Sequence, residues 1–295
     1  MNKISIIVPC YNEEESLPDF HLAVTRIMKT ISDIKYELIF VDDGSTDQTL
    51  HLIRKIAEID AQVRYVAFSR NFGKEAGMYA GLQEADGDYC VIMDADLQHP
   101  PELLPEMYRV VTEEGYDCCG GMRKGREGDG ALRSLLSKAF YRLGRRLTNL
   151  DMNDGQGDFR MMSRTMVDAI LGMKEYHRYM KGLFSFVGFE TKWIAYDNIQ
   201  RDKGVTKWSL KRLFAYAMEG ILSFSTAPLK AAGIAGLISL FCSLLYLISG
   251  QSLILCVVMF FSGIQMIFLY IIGAYLSKDY VENKKRPIYI VKERG

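Results

Sequence analysis

The apolar positions fall into two regimes along the chain. Up to about residue 122, short β-branched or aromatic runs alternate with stretches of helical periodicity. Ile4 to Val8, Glu37 to Val41, Val63 to Phe68, Tyr89 to Met93 and Asp117 to Gly121 read as strands, with amphipathic helices in the gaps. Near-continuous apolar strands separated by helices imply a mainly parallel, Rossmann-like α/β sheet covered on both faces. The last quarter differs. From Thr226 to Leu276 the only charged side chain is Lys230, and a hydrocarbon core takes about 20 apolar residues per helix. Two transmembrane helices fit, at about 228–249 and 252–276, broken at Ser249-Gly250-Gln251-Ser252, a link short enough to impose an antiparallel hairpin. Two buried helices of a soluble protein are the alternative, but soluble cores rarely hold so long a stretch with one charge.

Two further segments repeat apolar residues at helical spacing beside a basic face. In 131–147, Leu132, Leu135, Leu136, Ala139, Phe140, Leu143 and Leu147 lie among Arg133, Lys138, Arg142, Arg145 and Arg146; in 209–227, Leu210, Leu213, Phe214, Ala217 and Ile221 lie beside Lys211 and Arg212. Such helices suit an interface with anionic lipid, core-facing helices with solvated charges being the alternative. The expected layout is a domain at 1–208 including the interface helix 131–147, a juxtamembrane helix at 209–227, the hairpin at 228–277 and a basic tail at 278–295. Lys211, Arg212 and Lys230 before the hairpin, with Lys278, Lys284, Lys285 and Arg286 after it, place both flanks in the cytosol. This predicts a multi-pass protein of the cell (inner or plasma) membrane with a cytosolic N-terminal domain. Ile4-Ser-Ile-Ile-Val is too short for a signal-peptide core.

Composition adds mainly exclusions. Over 295 residues, Lys plus Arg and Asp plus Glu number 36 each, so no basic field argues for nucleic acid. Cys10, Cys90, Cys118, Cys119, Cys242 and Cys256 show no metal-type spacing and read as reduced, mostly buried small hydrophobes.

In parallel sheets, ligands sit beyond the carboxyl ends of the strands. There the chain reads Pro9-Cys-Tyr-Asn-Glu-Glu, Asp42-Asp-Gly-Ser-Thr-Asp, Ser69-Arg-Asn-Phe-Gly-Lys and Asp94-Ala-Asp-Leu-Gln-His-Pro-Pro. Asp94, Asp96 and Gln98, spaced two apart, would share one face of an extended strand end. Their three oxygen donors suit a hard cation, Mg2+ or Mn2+. Turn and helix-cap duty before Pro100-Pro101-Glu102 is the competing reading. His99 is left out of the metal shell, as a residue that hydrogen-bonds locally. Asp42-Asp43-Gly44-Ser45 is expected to cap a helix starting near Thr46 and to leave another carboxylate facing a ligand. No Gly-x-Gly-x-x-Gly follows the first strand and no Gly-Lys-Ser/Thr loop occurs. Dinucleotide oxidoreductases and P-loop enzymes thereby lose their main support.

Taken with Gly157-Asp-Phe-Arg, these motifs resemble, in order and spacing, the family 2 glycosyltransferases, and more narrowly the GtrB-like polyprenyl-phosphate (undecaprenyl- or dolichyl-phosphate) glycosyltransferases. The resemblance covers the N-terminal domain and extends to the two apolar helices. It implies a GT-A-type fold and inverting transfer of a hexose from a nucleotide sugar to polyprenyl phosphate at the cytosolic membrane face, for cell-envelope glycosylation. The donor expected is UDP-glucose or UDP-N-acetylglucosamine, with a GDP-mannose-dependent mannose synthase as the alternative. Pro9, Tyr11, Asn12, Glu13, Asp42 and Asp43 would then hold base and ribose, with Asn71, Lys74, Asp94 and Ala95 also lining the donor site. Asp94, Asp96 and Gln98 match the metal trio, and Asp158 an acid close to the sugar. Arg201, with Lys207, matches a loop closing on the diphosphate, Thr206 standing where serine is usual. Arg123, Arg133 and Ser137 resemble the group that binds the acceptor phosphate. A homo-oligomer, such as a tetramer, is also implied. A polysaccharide synthase is disfavoured, because no Gln-x-x-Arg-Trp occurs and two membrane helices build no channel. A non-catalytic membrane scaffold is disfavoured by the intact polar set.

Overall fold

The computed structural model describes residues 1–124, 156–197 and 254–295, together with residues 229, 234, 235 and 238. Among these, eight strands form one sheet in the order β7-β5-β6-β4-β1-β2-β3-β8: β1 (Asn2–Cys10), β2 (Ile34–Asp42), β3 (Val63–Phe68), β4 (Tyr89–Ile92), β5 (Cys118–Lys124), β6 (Gln156–Ser163), β7 (Thr191–Asp197) and β8 (Val291–Arg294). Seven helices accompany them: α1 (Leu17–Met28), α2 (Thr49–Ile59), α3 (Lys74–Glu84), α4 (Leu104–Glu113), α5 (Arg164–Gly172), α6 (Met180–Phe186) and α7 (Ile254–Asn283).

The five strands read from the sequence are present, each within a few residues of its expected bounds. The sheet is mixed rather than mainly parallel. β3, β2, β1 and β4 run parallel, as do β5 and β7, but β6 lies antiparallel between β4 and β5, and β8 pairs antiparallel with β3. Both faces are covered. Ile4, Ile6 and Val8 of β1 pack with Phe20 and Val24 of α1, Ile53 of α2 and Met107 of α4. Ile7 faces the other layer, with Ala80 of α3, Val167 of α5 and Leu183 of α6. A strand buried on both faces reads as an unbroken apolar run, which is why β1 was legible. The described cysteines, Cys10, Cys90, Cys118 and Cys119, are free and buried, and burial pushes the Cys90 and Cys119 thiols up to about 12.

Helix α3 fixes where its first residue, Lys74, can reach. It packs so closely on β1 that a Cβ on Gly81 would stand 2.2 Å from Ile7 Cγ2. At the far edge, the last residues return to the sheet instead of forming a free tail. β8 pairs with β3, Tyr289 stacks on Phe68 at 4.7 Å, and Arg54 forks onto Glu293 with two 2.8 Å hydrogen bonds. The Tyr176 amide donates to Glu282 near the end of α7 at 2.8 Å.

Among the described residues no helix is long and apolar enough to cross a membrane. The expected second span falls on α7, a 30-residue helix in whose first third several side chains lie outside the described set. The expected first span, 228–249, and the basic helices 131–147 and 209–227 lie outside it almost entirely.

Candidate active site

The loops beyond β1, β2 and β3 are sewn together by side chain to backbone bonds. Asn12 adopts a left-handed φ of 56°, tolerable for asparagine. From there its amide donates to Ser45 Oγ at 3.0 Å, and its Oδ1 accepts from Thr46 N at 2.9 Å. The Glu13 amide donates to Thr49 Oγ1 at 2.8 Å. Gly44, at φ 67°, lies so close to the next loop that a Cβ would stand 2.5 Å from the Arg70 carbonyl carbon. Asp43 bridges the remaining gap, accepting from the Phe72 amide at 2.6 Å and the Gly73 amide at 2.9 Å. Burial raises its pKa to about 6, against the lowering effect of those two bonds. The helix expected near Thr46 starts at Thr49 without a side-chain cap from Gln48; Asp42 instead accepts from the Ser45 amide.

Lys74 ties this frame to the fourth loop. Its Nζ lies 2.7 Å from Asp94 Oδ1, 2.9 Å from Asp94 Oδ2 and 2.9 Å from Asp158 Oδ2. Desolvation would lower the lysine pKa, but Asp158 and Asp94 overcome it and hold Lys74 above its usual range. Burial likewise pushes both carboxylates up, and the ammonium, joined by His99 at Asp94 and Lys181 at Asp158, holds them below the usual carboxylate range. Asp158 Oδ1 is buried with no hydrogen-bond partner among the described residues.

Asp94, Asp96 and Gln98 do not alternate along an extended strand end as expected. β4 stops at Ile92, and Leu97 takes a φ of 58° in a tight turn. The Gln98 amide donates to Asp96 Oδ1 at 3.1 Å, and Gln98 Oε1 accepts from Arg123 at 3.2 Å. Arg123 also donates to the Tyr196 hydroxyl at 3.3 Å. Among the described residues no group of three or more His, Cys, Asp or Glu is arranged to hold a metal. The hard oxygens of Asp94, Asp96 and Gln98 still fit Mg2+ or Mn2+ in kind, with the Lys74 ammonium already on one of them.

His99 does bond locally. It is buried, its ring stacks 4.9 Å from that of Phe159, and its Nδ1 accepts the Asp94 amide at 3.0 Å. The second nitrogen therefore carries the proton, 4.0 Å from Asp94 Oδ2, and burial keeps the pKa below the usual histidine value. Tyr196 and Phe159 escaped notice because β6 and β7 were not foreseen; the quoted Gly157-Asp-Phe-Arg was the available signal for Phe159.

The structure thus gathers Asn12, Glu13, Asp42, Asp43, Lys74, Asp94, Asp96, Gln98, Arg123 and Asp158 at one sheet edge. Pro9 is the penultimate residue of β1, Ala95 is buried in the fourth loop, and Tyr11 and Asn71 are exposed on the first and third. Arg133, Ser137, Arg201 and Lys207 lie outside the described residues.

The profile of glycosyl transferase family 2 matches residues 5–171. CsbB of Bacillus subtilis (strain 168), a glycosyltransferase by provisional name, is 41% identical over 98% of this chain and 91% of its own. The prophage bactoprenol glucosyl transferase homolog of Escherichia coli (strain K12) is 37% identical, over 98% of both chains. The bactoprenol glucosyl transferase of Shigella phage SfV is 35% identical, again over 98% of both. A glucosyl-3-phosphoglycerate synthase structure from Mycobacterium tuberculosis covers 75% of this chain and 78% of its own at 22% identity and a TM-score of 0.48, too loose a likeness to carry an argument.

Proposed function

The chain belongs to glycosyl transferase family 2 and is a glycosyltransferase, and from that premise we propose that it transfers a hexose from a UDP-sugar to a polyprenyl phosphate at the cytosolic face of a membrane. The observation that carries this reading is the Lys74 bridge between Asp94 and Asp158, which puts one ammonium, a carboxylate of the loop after β4 and a carboxylate of β6 at the open sheet edge. The names of the full-length relatives, bactoprenol glucosyl transferases, support the lipid acceptor.

A polyprenyl phosphate is anionic at neutral pH, so its oxygen can attack the anomeric carbon without a strong base. The protein's tasks are then alignment and charge compensation. Asp94, Asp96 and Gln98 would hold Mg2+ or Mn2+, which supplies Lewis-acid stabilisation of the departing diphosphate. The sewn loops around Asn12, Asp42 and Asp43 would seat base and ribose. Asp158, with one oxygen on Lys74 and the other without a hydrogen-bond partner among the described residues, is suited to accept a sugar hydroxyl and orient the ring. Arg201 and Lys207 are assigned to the diphosphate, and Arg123, Arg133 and Ser137 to the acceptor phosphate, arginine being the better fork for phosphate. The outward apolar side chains of α7, among them Phe260, Met266, Ile267 and Leu269, support a membrane location.

Purified protein incubated with Mg2+, undecaprenyl phosphate and a panel of labelled UDP- and GDP-sugars tests this. Organic-soluble label from a UDP-hexose is expected. Label from GDP-mannose alone replaces the donor, and no label with any donor removes the proposal.

A further inference from the structure

Lys74 sits where a divalent cation would compete with it. Its ammonium contacts both oxygens of Asp94 and one of Asp158. The other two members of the trio are also engaged by this chain's own donors, Asp96 by the Gln98 amide and Gln98 by Arg123. A cation arriving alone finds the Asp94 carboxylate already neutralised and meets a positive charge within contact distance. Like charges a few ångströms apart oppose each other even at the intermediate dielectric of a half-open site.

The same lysine is able to move. Its side chain is 41% exposed, and a lysine is a point charge on a flexible four-carbon stem. It stands at the first position of α3, after Gly73, whose φ is 99°. Leaving Asp94 does not strand it, because Asp158 still faces it. What draws it off must be an anion that enters with the metal, and a diphosphate is such an anion.

We infer that Lys74 is a built-in counter-cation that competes with the divalent metal for Asp94 and yields it when a nucleoside diphosphate takes over the ammonium, making metal and nucleotide bind cooperatively. The inference rests on the proposed metal role of Asp94, Asp96 and Gln98. Linkage makes it reciprocal: the factor by which nucleotide tightens metal equals the factor by which metal tightens nucleotide.

Mn2+ binding to the full chain in detergent, read from the loss of the free-ion paramagnetic resonance signal with and without UDP, tests it independently of turnover. Wild type is expected to bind Mn2+ weakly alone and about tenfold more tightly with UDP, within the usual range of coupling between sites. Lys74→Met should bind Mn2+ alone about tenfold more tightly than wild type, and UDP should tighten it by a clearly smaller factor than in wild type. Lys74→Arg, which keeps the charge, should stay close to wild type. Wild-type affinity that ignores UDP overturns the inference without recourse to any variant. Lys74→Met binding Mn2+ alone no more tightly than wild type also overturns it, and loss of binding in Asp96→Asn then shows that the metal reading stands. Unchanged Mn2+ binding in Asp96→Asn removes the metal reading, and the inference with it.

Discussion

Asp43 closes the seam between the second and third loops with one carboxylate, each oxygen on a different backbone amide. Asp43→Asn offers an NH2 group to one of those amides and leaves it unsatisfied, which should cost about 1–3 kcal/mol of stability. The pH dependence has a definite sign. With a folded-state pKa of about 6 and an unfolded value near 3.9, the folded protein holds this proton more tightly than the unfolded chain. The associated stabilisation is complete below the unfolded value and lost as pH rises through about 6. Asparagine does not titrate, so the gap in Tm between wild type and Asp43→Asn should narrow from pH 4 to pH 7; a widening gap contradicts a raised pKa. Asp43 also marks a limit of sequence reading. Its clamp on the third loop is not legible there, because an aspartate that faces a ligand and one that holds a neighbouring loop occupy the same kind of polar, glycine-containing turn. Asp94 and Asp158 were legible as chemistry, but their sharing of Lys74 was not, because 84 residues separate Lys74 from Asp158.

At the scale of elements, α3 aims Lys74, and the contact of Gly81 with Ile7 sets the depth of that helix. Gly81→Ala should destabilise the protein by about 1–3 kcal/mol through overpacking, despite the better helix propensity of alanine. Ile7→Ala removes the Cγ2 methyl that the new Cβ would meet, so its cost should be smaller in the Gly81→Ala background than alone, a coupling that a double-mutant cycle on thermal melts measures. Strict additivity would mean that the two residues do not meet. β8 makes a different prediction. Removing residues 289–295 strips the stack on Phe68 and the fork from Arg54, and bares the edge of β3, so the truncated protein should melt several degrees lower and aggregate on heating. An unchanged melt would reduce the strand to decoration. No periodicity announced β8: four residues reading Val-Lys-Glu-Arg look like a solvated basic tail, and only the exposed β3 edge and the waiting partners Arg54 and Glu84 turn them into a strand. β1 to β3 announced themselves because burial on both faces leaves few polar positions.

For the whole molecule, the layered α/β plan follows from the alternation of apolar runs and amphipathic helices. The antiparallel insertion of β6 between β4 and β5 does not, since pairing partners far apart in the chain leave no local pattern. The Lys74 cluster lies at the carboxyl ends of the parallel strands, where open sheets hold ligands. Far down the chain, α7 exposes Val258, Phe260, Met266, Ile267, Leu269 and Ile272. Such a surface needs covering, and the proposed cover is lipid: the protein should stay with membranes through an alkaline carbonate wash, and release into the supernatant would argue against it. The most direct measurement is transfer of label from a UDP-hexose to undecaprenyl phosphate in the presence of Mg2+ or Mn2+, comparing wild type with Asp96→Asn and with wild type in excess chelator. Organic-soluble label from wild type, falling about a hundredfold or more in the variant and the chelated sample, is the expected result. Equal labelling by Asp96→Asn, or none by wild type, would contradict a metal-assisted transfer to lipid phosphate at this site.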